Sequence, residues 1–211
     1  MNVDDPPAGW PAAWDGTAES VTTTLGPNGR WNVAALGLTA PGSGDGDEAA
    51  GNATTDDPQV TARTWGRTRT WRNFTERGEG YVNFTRDPVD FVEAACSVRE
   101  EDDPVLDSAD AWARVTVSER DSGESGGTQW VDWVVSPVES AVDRTVVPTV
   151  GRGHAAVVEA TVAASRLDVP AYDTAALRER IAFFESVVET AGGARERAAW
   201  ERFEALVDWR G

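Results

Sequence analysis

Two periodicities divide this chain. Up to about residue 150, apolar and β-branched positions come in short runs that alternate with polar ones. Beyond Gly151 they recur every three or four residues. In the first part, residues 19–25 (ESVTTTL) and 31–39 (WNVAALGLT) read as strands, and Gly26-Pro27-Asn28-Gly29 between them reads as a hairpin turn. Residues 59–65 (QVTARTW) and 79–85 (EGYVNFT) predict two more strands. A short helix between them is expected with Thr70 as N-cap and Gly78 as its stop. Asp87 followed by Pro88 starts a helix over 87–96. Residues 99–110 are an acidic connection. Residues 111–119 and 128–135 alternate well around a glycine-rich DSGESGG expected to be a hairpin loop, and 139–148 reads as a last strand. Six or seven strands, mostly hairpin-linked, with one or two short helices predict a small antiparallel barrel.

The second part predicts three helices. The first covers 154–167 with Val158, Val162 and Ser165 on one stripe. The second is capped near Asp173 or Thr174 and carries Leu177, Ile181, Phe184 and Val188. The third starts at Ala194 with Trp200, Phe203 and Val207, while Pro170 and Gly192-Gly193 separate them. These stripes suit a packed core better than a cofactor box. Residues 1–16, rich in Pro, Gly and Asp, are expected to be a disordered tail. The acidic, aperiodic stretch 41–58 is expected to be a surface loop. The division is therefore a tail, a barrel over 17–150 and a helical appendage over 151–211.

Charge singles out one window. The chain has 36 acidic and 19 basic residues, all of the latter arginine, for a net charge of −17. Yet residues 61–74 (TARTWGRTRTWRNF) hold Arg63, Arg67, Arg69 and Arg72 and no acid, interleaved with Thr64, Thr68 and Thr70. Guanidinium forks beside hydroxyls at a helix N-terminus suit a phosphate, although the same composition also describes a solvated basic face. The acidity elsewhere fits a protein built for high salt, where screening tempers self-repulsion. It argues against nucleic acid as a partner. A single cysteine and a single histidine exclude disulfides and multi-cysteine or two-histidine metal sites. Cys96 reads as a buried core thiol. With neither a leader-like N-terminus nor a long apolar run, the expectation is a cytoplasmic protein away from membranes. Ala34, Ala35 and Gly37 leave room for a close approach to the second strand, or for packing on both of its faces. No Ser-His-Asp set, dinucleotide fingerprint or P-loop is present.

The ordered succession ESVTTTLGPNGRWNVAALGL, RTRTWRNF, YVNFTRDPVDFVEAA and GRGHAAVVEATVAASRL resembles the archaeal domain-of-unknown-function family 447. That resemblance covers roughly residues 18 to 190. It implies an FMN-binding split barrel of the flavin-reductase type that works as a homodimer. The ring of the flavin would then meet the backbone at Asn32, Val33 and Ala34. Its phosphate would be held by Arg67, Thr68, Arg69, Thr70 and Asn73, and Asn83 would either face the flavin or serve the sheet. Arg152 and His154 are expected to cap a helix and make a domain contact rather than touch a ligand. The implied activity is that of a flavin-dependent oxidoreductase acting with a small-molecule electron donor or acceptor. A non-catalytic flavin-binding module and a deazaflavin-binding oxidoreductase are the alternatives. No side chain is assigned as catalytic.

Overall fold

A computed structural model describes residues 9–43, 59–147 and 149–211. Its elements are β1 (Thr17–Leu25), β2 (Trp31–Thr39), β3 (Thr61–Trp65), α1 (Arg69–Arg77), β4 (Glu79–Thr85), α2 (Pro88–Cys96), β5 (Arg99–Glu101), β6 (Ala109–Ser125), β7 (Thr128–Val142), α3 (Arg152–Ala164), α4 (Thr174–Ala191) and α5 (Ala194–Leu206). Strands run antiparallel in the order β1-β4-β6-β7-β3-β2, and β2 returns to pair with β1 along its whole length. Six strands thus close an antiparallel barrel, the architecture the alternation predicted.

The first hairpin forms where its turn residues demand it. Gly26 N–H donates to Arg30 O at 2.7 Å, and Gly29 takes a positive φ of 78° that a side chain would resist. Inside the barrel, Leu36, Leu38, Val82, Val115 and Trp133 pack together, and Phe74 of α1 reaches in to lie edge-on to Trp133. Two tryptophans from the segment expected to be a disordered tail complete this core. Trp10 is 5% exposed and stands edge-on to Trp14 and to Phe84, while Trp14 Nε1 donates to Leu38 O. A Gly- and Pro-rich stretch shows no period, so its buried Trp10 and half-buried Trp14 carry no pattern to read. Residues 1–8 of that tail and 44–58 of the acidic loop lie outside the described residues.

Three further expectations are corrected. The DSGESGG segment is mostly strand: β6 runs to Ser125, and only Gly126 and Gly127, both at positive φ, make the turn. The strand expected at 128–135 and the first part of that expected at 139–148 are one, which ends at Val142. Val115 pairs with Pro137 and Arg114 with Glu139, so a bulge at Val138 carries β7 past a proline that cannot donate to the ladder. Finally, the acidic connection contains β5, three residues that add to β2 through Trp31↔Glu101, Asn32↔Glu100 and Val33↔Arg99.

Three C-terminal helices form, α3 lying two to three residues earlier than the 154–167 expected, and Asp173 caps α4 through bonds from Ala175 and Ala176 N–H. Leu177, Ile181, Val188, Trp200 and Phe203 are buried. In α3 the buried stripe is instead Ala156, Val157, Ala160 and Ala163, while Val158 and Val162 are half-buried and Ser165 is exposed. The small residues give α3 close approaches. A Cβ on Gly153 would sit 2.7 Å from Gly192 Cα. This helical core includes Val92 of α2, and Arg202 Nε donates to Glu93 Oε1 at 2.9 Å, so α2 is the bracket between barrel and helices. Val158 packs on the other face of β2, against the cluster of Val21, Val33 and Phe91.

A polar cleft beside helix α1

Helix α1 starts two residues earlier than expected. Thr68, not Thr70, is its N-cap, accepting from Trp71 N–H at 3.1 Å, and Gly78 ends it at φ 66° with its N–H on Phe74 O. Both threonines have the right chemistry. The left-handed Gly66 (φ 68°) turns the chain early, and the earlier one is used. Thr70 is then free to turn inward, where it is buried and its Oγ1 accepts from Asn32 Nδ2 at 3.4 Å. One turn on, Asn73 Nδ2 donates to Thr24 Oγ1 at 2.9 Å and to Thr24 O at 3.3 Å. These bonds rivet α1 across the mouth of the first hairpin.

Between α1 and that hairpin lies a cleft of about 220 Å³, lined by Gly26, Pro27, Asn28, Asn32, Arg69, Arg72, Asn73 and Glu100. Arg69, Arg72 and Asn73 share a helix face because they stand at i, i+3 and i+4. Arg69 Nη1 donates to Glu100 Oε1 at 2.6 Å, and Asn28 Nδ2 donates to Glu100 Oε2 at 3.0 Å. Arg30 Nη2 donates to the Glu100 carbonyl at 3.2 Å, while its Nη1 meets Asp102 at 2.9 Å. Arg72 is exposed and, among the described residues, its guanidinium has no hydrogen-bond or ion-pair partner. Two guanidinium groups, one of them uncommitted, beside amide side chains and the open first turn of a helix form a donor set suited to an oxyanion.

The other arginines of the window go elsewhere. Arg63 makes a two-pronged pair with Asp132, at 2.6 and 2.8 Å, and lies 4.4 Å over the Trp130 ring. Arg67 Nε donates to Gln129 Oε1 and sits over Trp71, in a second groove of about 490 Å³ between α1 and the β6–β7 hairpin. Of the residues put forward from the sequence, Asn32, Arg69 and Asn73 line the cleft. Thr68 and Thr70 do not line it but set α1 beside it, one as its cap and the other bonded to Asn32, and Arg67 faces the second groove. Val33 is 2% exposed in the cluster behind β2. Ala34 pairs with Thr22 on the barrel side of the same strand. Asn83 lies outside the cleft and is fully buried: its Nδ2 donates to Pro104 O at 3.3 Å, and its Oδ1 accepts from Leu106 N–H at 2.9 Å.

One gap bears on Val33 and Ala34. On the edge away from β1, β2 pairs with β5 at residues 31–33 and with β3 only at 38–39. Among the described residues, 34–37 therefore have no strand partner on that edge. Neither Arg152 nor His154 reaches the cleft lining. His154 is half-buried at the start of α3, and burial pulls its pKa below the usual value, opposed by Glu196 and Asp87. Cys96, expected to be a buried core thiol, is half-buried against the helical core, and that burial pushes its pKa up to about 11. The described residues contain no cluster of three or more His, Cys, Asp or Glu able to hold a metal, and no helix among them is long and apolar enough to cross a membrane. Glu100 and Asn28 had no local signal, since one sits in an acidic run and the other in a turn. Arg72 was legible from its helical spacing to Arg69.

The fold and cleft define a closed antiparallel barrel with an anion-suited pocket at its first hairpin and a helical C-terminal unit. The sequence profile of the N-terminal domain of the DUF447 proteins of unknown function matches residues 18–144, and that of their C-terminal part matches 151–205. The chain belongs to this family. Among solved structures it is similar to an FMN-bound DUF447 protein from Methanosarcina mazei, at 21% identity and a TM-score of 0.70 over 92% of this chain and 96% of that one. It is more distantly similar to an FMN-binding protein from Thermus thermophilus (13% identity, TM-score 0.41, 68% of this chain and 81% of that one). Flavoredoxin from Methanosarcina acetivorans stands at a like distance (11%, 0.41, 63% and 72%). At these identities the likeness is one of fold. No curated protein matches.

Proposed function

We propose that this chain is an FMN-binding flavoprotein that holds the flavin phosphate in the cleft beside α1 and acts as an oxidoreductase with a small-molecule electron donor or acceptor. The observation that carries the reading is Arg72, a guanidinium unpaired among the described residues and on the same helix face as Arg69 and Asn73, in a protein of net charge −17. The family relationship and the FMN in the Methanosarcina mazei protein support it. When bound, the flavin supplies the hydride or electron chemistry. The chain's residues bind and orient. Arg69 and Arg72 grip the phosphate, Thr68 fixes the start of α1, and Asn32 and Asn73 hold the helix against the hairpin. The unpaired stretch of β2 at 34–37 offers backbone N–H and C=O groups to a flat ring.

A cleft of about 220 Å³ is smaller than the roughly 300–1,000 Å³ of complete small-molecule sites. It suits the phosphate and part of its tether. The ring then lies on more open surface, and a second copy of the chain would cover it, in line with the homodimer expected from the family resemblance. The test is the absorbance spectrum of the purified protein together with its mass in solution by light scattering. A yellow dimer whose flavin bleaches with a reduced nicotinamide supports the oxidoreductase. A yellow protein inert to every donor is a binding module, and a blue-fluorescent extract indicates a deazaflavin. Arg69→Ala and Arg72→Ala should each lower FMN affinity about ten- to a hundredfold, the effect of losing one charge-assisted bond. Unchanged flavin content in both variants would sink the assignment of this cleft.

A further inference from the structure

The groove on the other side of α1 is larger than the cleft and lies outside the flavin-phosphate contacts. Its volume of about 490 Å³ falls within the roughly 300–1,000 Å³ of small-molecule sites. Helix α1 is the common wall: Arg69, Arg72 and Asn73 line the cleft, while Trp71 and Thr75 line the groove with Arg67 just before the helix. The β6–β7 hairpin forms the other wall, and the two ends of the groove differ in charge. At the start of α1, Arg67 Nε donates to Gln129 Oε1 at 3.2 Å, and its Nη groups have no hydrogen-bond or ion-pair partner among the described residues. Glu124 pairs with Gln129 across the hairpin and so belongs to this end. At the other end, Val117 N–H donates to Gly78 O at 2.8 Å, which ties β6 to the stop of α1 and places Glu119, two residues on, at that end. One oxygen of Glu119 accepts from Ser122 Oγ at 2.9 Å, and the other is open among the described residues. The half-buried Trp71 lies between the ends. The Arg67 end is also the one nearer the open edge of β2. Continuing the Leu38↔Ala62 register would set 34–37 against 63–66, and Gly66 and Arg67 then open the groove.

We propose, resting on the oxidoreductase reading above, that this groove seats the adenosine diphosphate half of a nicotinamide dinucleotide donor, and that Glu119 selects NADH over NADPH. Arg67 meets the diphosphate at one end, and Trp71 and Glu119 take the adenosine towards the other. Adenine offers a flat face to the indole ring, a contact that depends little on which base is present. The ribose 2′-hydroxyl donates to the open oxygen of Glu119, a pairing that carboxylates make with this hydroxyl in other dinucleotide sites. In NADPH that hydroxyl is replaced by a phosphate carrying about −1.5 to −2 at neutral pH. It loses the donor and meets a like charge, so the same carboxylate that holds one ligand repels the other. The charge of Glu124 falls instead beside the diphosphate, which both donors carry, and weakens both alike. The nicotinamide then lies past Gly66 towards the open edge of β2. There the donor gives up a hydride, one proton with two electrons, to the flavin and leaves as NAD⁺, so no further reactant is needed.

The experiment titrates ADP-ribose and 2′-phospho-ADP-ribose, which lack the nicotinamide, calorimetrically into the wild-type protein, Glu119→Gln, Glu124→Gln and Trp71→Leu at one ionic strength. Bleaching of the flavin by NADH and by NADPH is followed on the same FMN-loaded proteins, and thermal unfolding checks that each variant is folded. The wild type should favour ADP-ribose in affinity, and NADH in kcat/KM, by at least about tenfold. E119Q should narrow both ratios about tenfold by gaining on the 2′-phosphorylated ligand. E124Q, an equal change of charge, should strengthen both ligands and keep the ratio. Trp71→Leu should weaken both about tenfold. If E119Q and E124Q act alike, overall charge sets the preference and the inference is overturned. It is overturned as well if the wild type favours the 2′-phosphate, if folded Trp71→Leu keeps its ADP-ribose affinity, or if FMN binds and ADP-ribose does not. In each of these cases bound FMN leaves the flavin reading standing. If no flavin binds but ADP-ribose is held with a preference that E119Q alone narrows, the flavin reading fails and the adenosine site stands. If neither binds, both fall.

Discussion

Asn83 illustrates how one residue separates a structural role from a functional one. Its amide uses both ends on the backbone of the β5–β6 connection, and the same segment takes a bond from Thr23 Oγ1 to Pro104 O at 2.5 Å. Because Asn83 is fully buried, Asn83→Ala leaves Leu106 N–H without its acceptor. That should cost about 1–3 kcal/mol in stability, read as a lower midpoint in chemical denaturation. FMN affinity of the folded protein should be unchanged. A loss of flavin without a loss of stability would return Asn83 to the site. The same buried pattern of a strand asparagine fits a ligand contact and a loop anchor equally well from the sequence. What decides between them is the course of residues 102–108, which pass over the outer face of β4.

Among elements, α1 and the β1–α3 contact make opposite demands on the sequence. The existence and C-terminal end of α1 were legible because cap chemistry is local, but the expected start, Thr70, lies two residues past the actual cap at Thr68, since two neighbouring threonines offer the same cap chemistry. Thr68→Ala should cost about 0.5–2 kcal/mol in stability, read as a lower midpoint in thermal unfolding. The strands of the first hairpin and the spacing of Leu177, Ile181 and Val188 were readable for the same reason, since period and turn residues are local quantities. What the local sequence hid were relations between distant segments. Trp10 and Trp14 plugging the barrel, β5 adding to β2, and Glu100 meeting Arg69 all depend on closure of the sheet. Glu19 on β1 is another such relation. Glu19 stays exposed at its edge, but partial desolvation of its carboxyl raises it above the ordinary value, and the like charge of Glu159 on α3 adds to this, with Arg180 drawing Glu159 at 3.7 Å. A carboxyl that binds its proton more tightly in the folded state favours folding at low pH, and that advantage is lost as pH rises from its unfolded value through its raised folded one. Glu19→Gln should therefore stabilise the protein at neutral pH and do little near pH 4, roughly where the unfolded carboxyl also holds its proton. Denaturation midpoints of both proteins at the two pH values check the sign. Equal midpoints at neutral pH would show that Glu19 is solvated.

Over the whole molecule, the field and the cleft pull on an anionic ligand in opposite senses. Net charge is −17, and the arginines that could oppose it are mostly paired: Arg63 with Asp132, Arg86 with Asp110, Arg99 with Asp90, Arg195 with Asp87. A phosphate approaching from solution therefore meets repulsion at long range and attraction only inside the cleft. The two differ in reach. The Debye length falls from about 10 Å at 0.1 M salt to about 3 Å at 1 M, so salt erases the repulsion between distant charges first. A contact such as that of Arg69, made at 2.6 Å with Glu100, lies within even the shorter length. Proteins that attract phosphates with a broad basic surface lose on-rate as salt rises. This chain should show the reverse, with FMN association accelerating from about 0.1 to 1 M KCl and dissociation rising less. Stopped-flow quenching of flavin fluorescence measures both rates. If association slows with salt instead, the cleft's own positive potential extends beyond its rim and outweighs the rest of the surface, and the acidic shell has no part in how the ligand arrives.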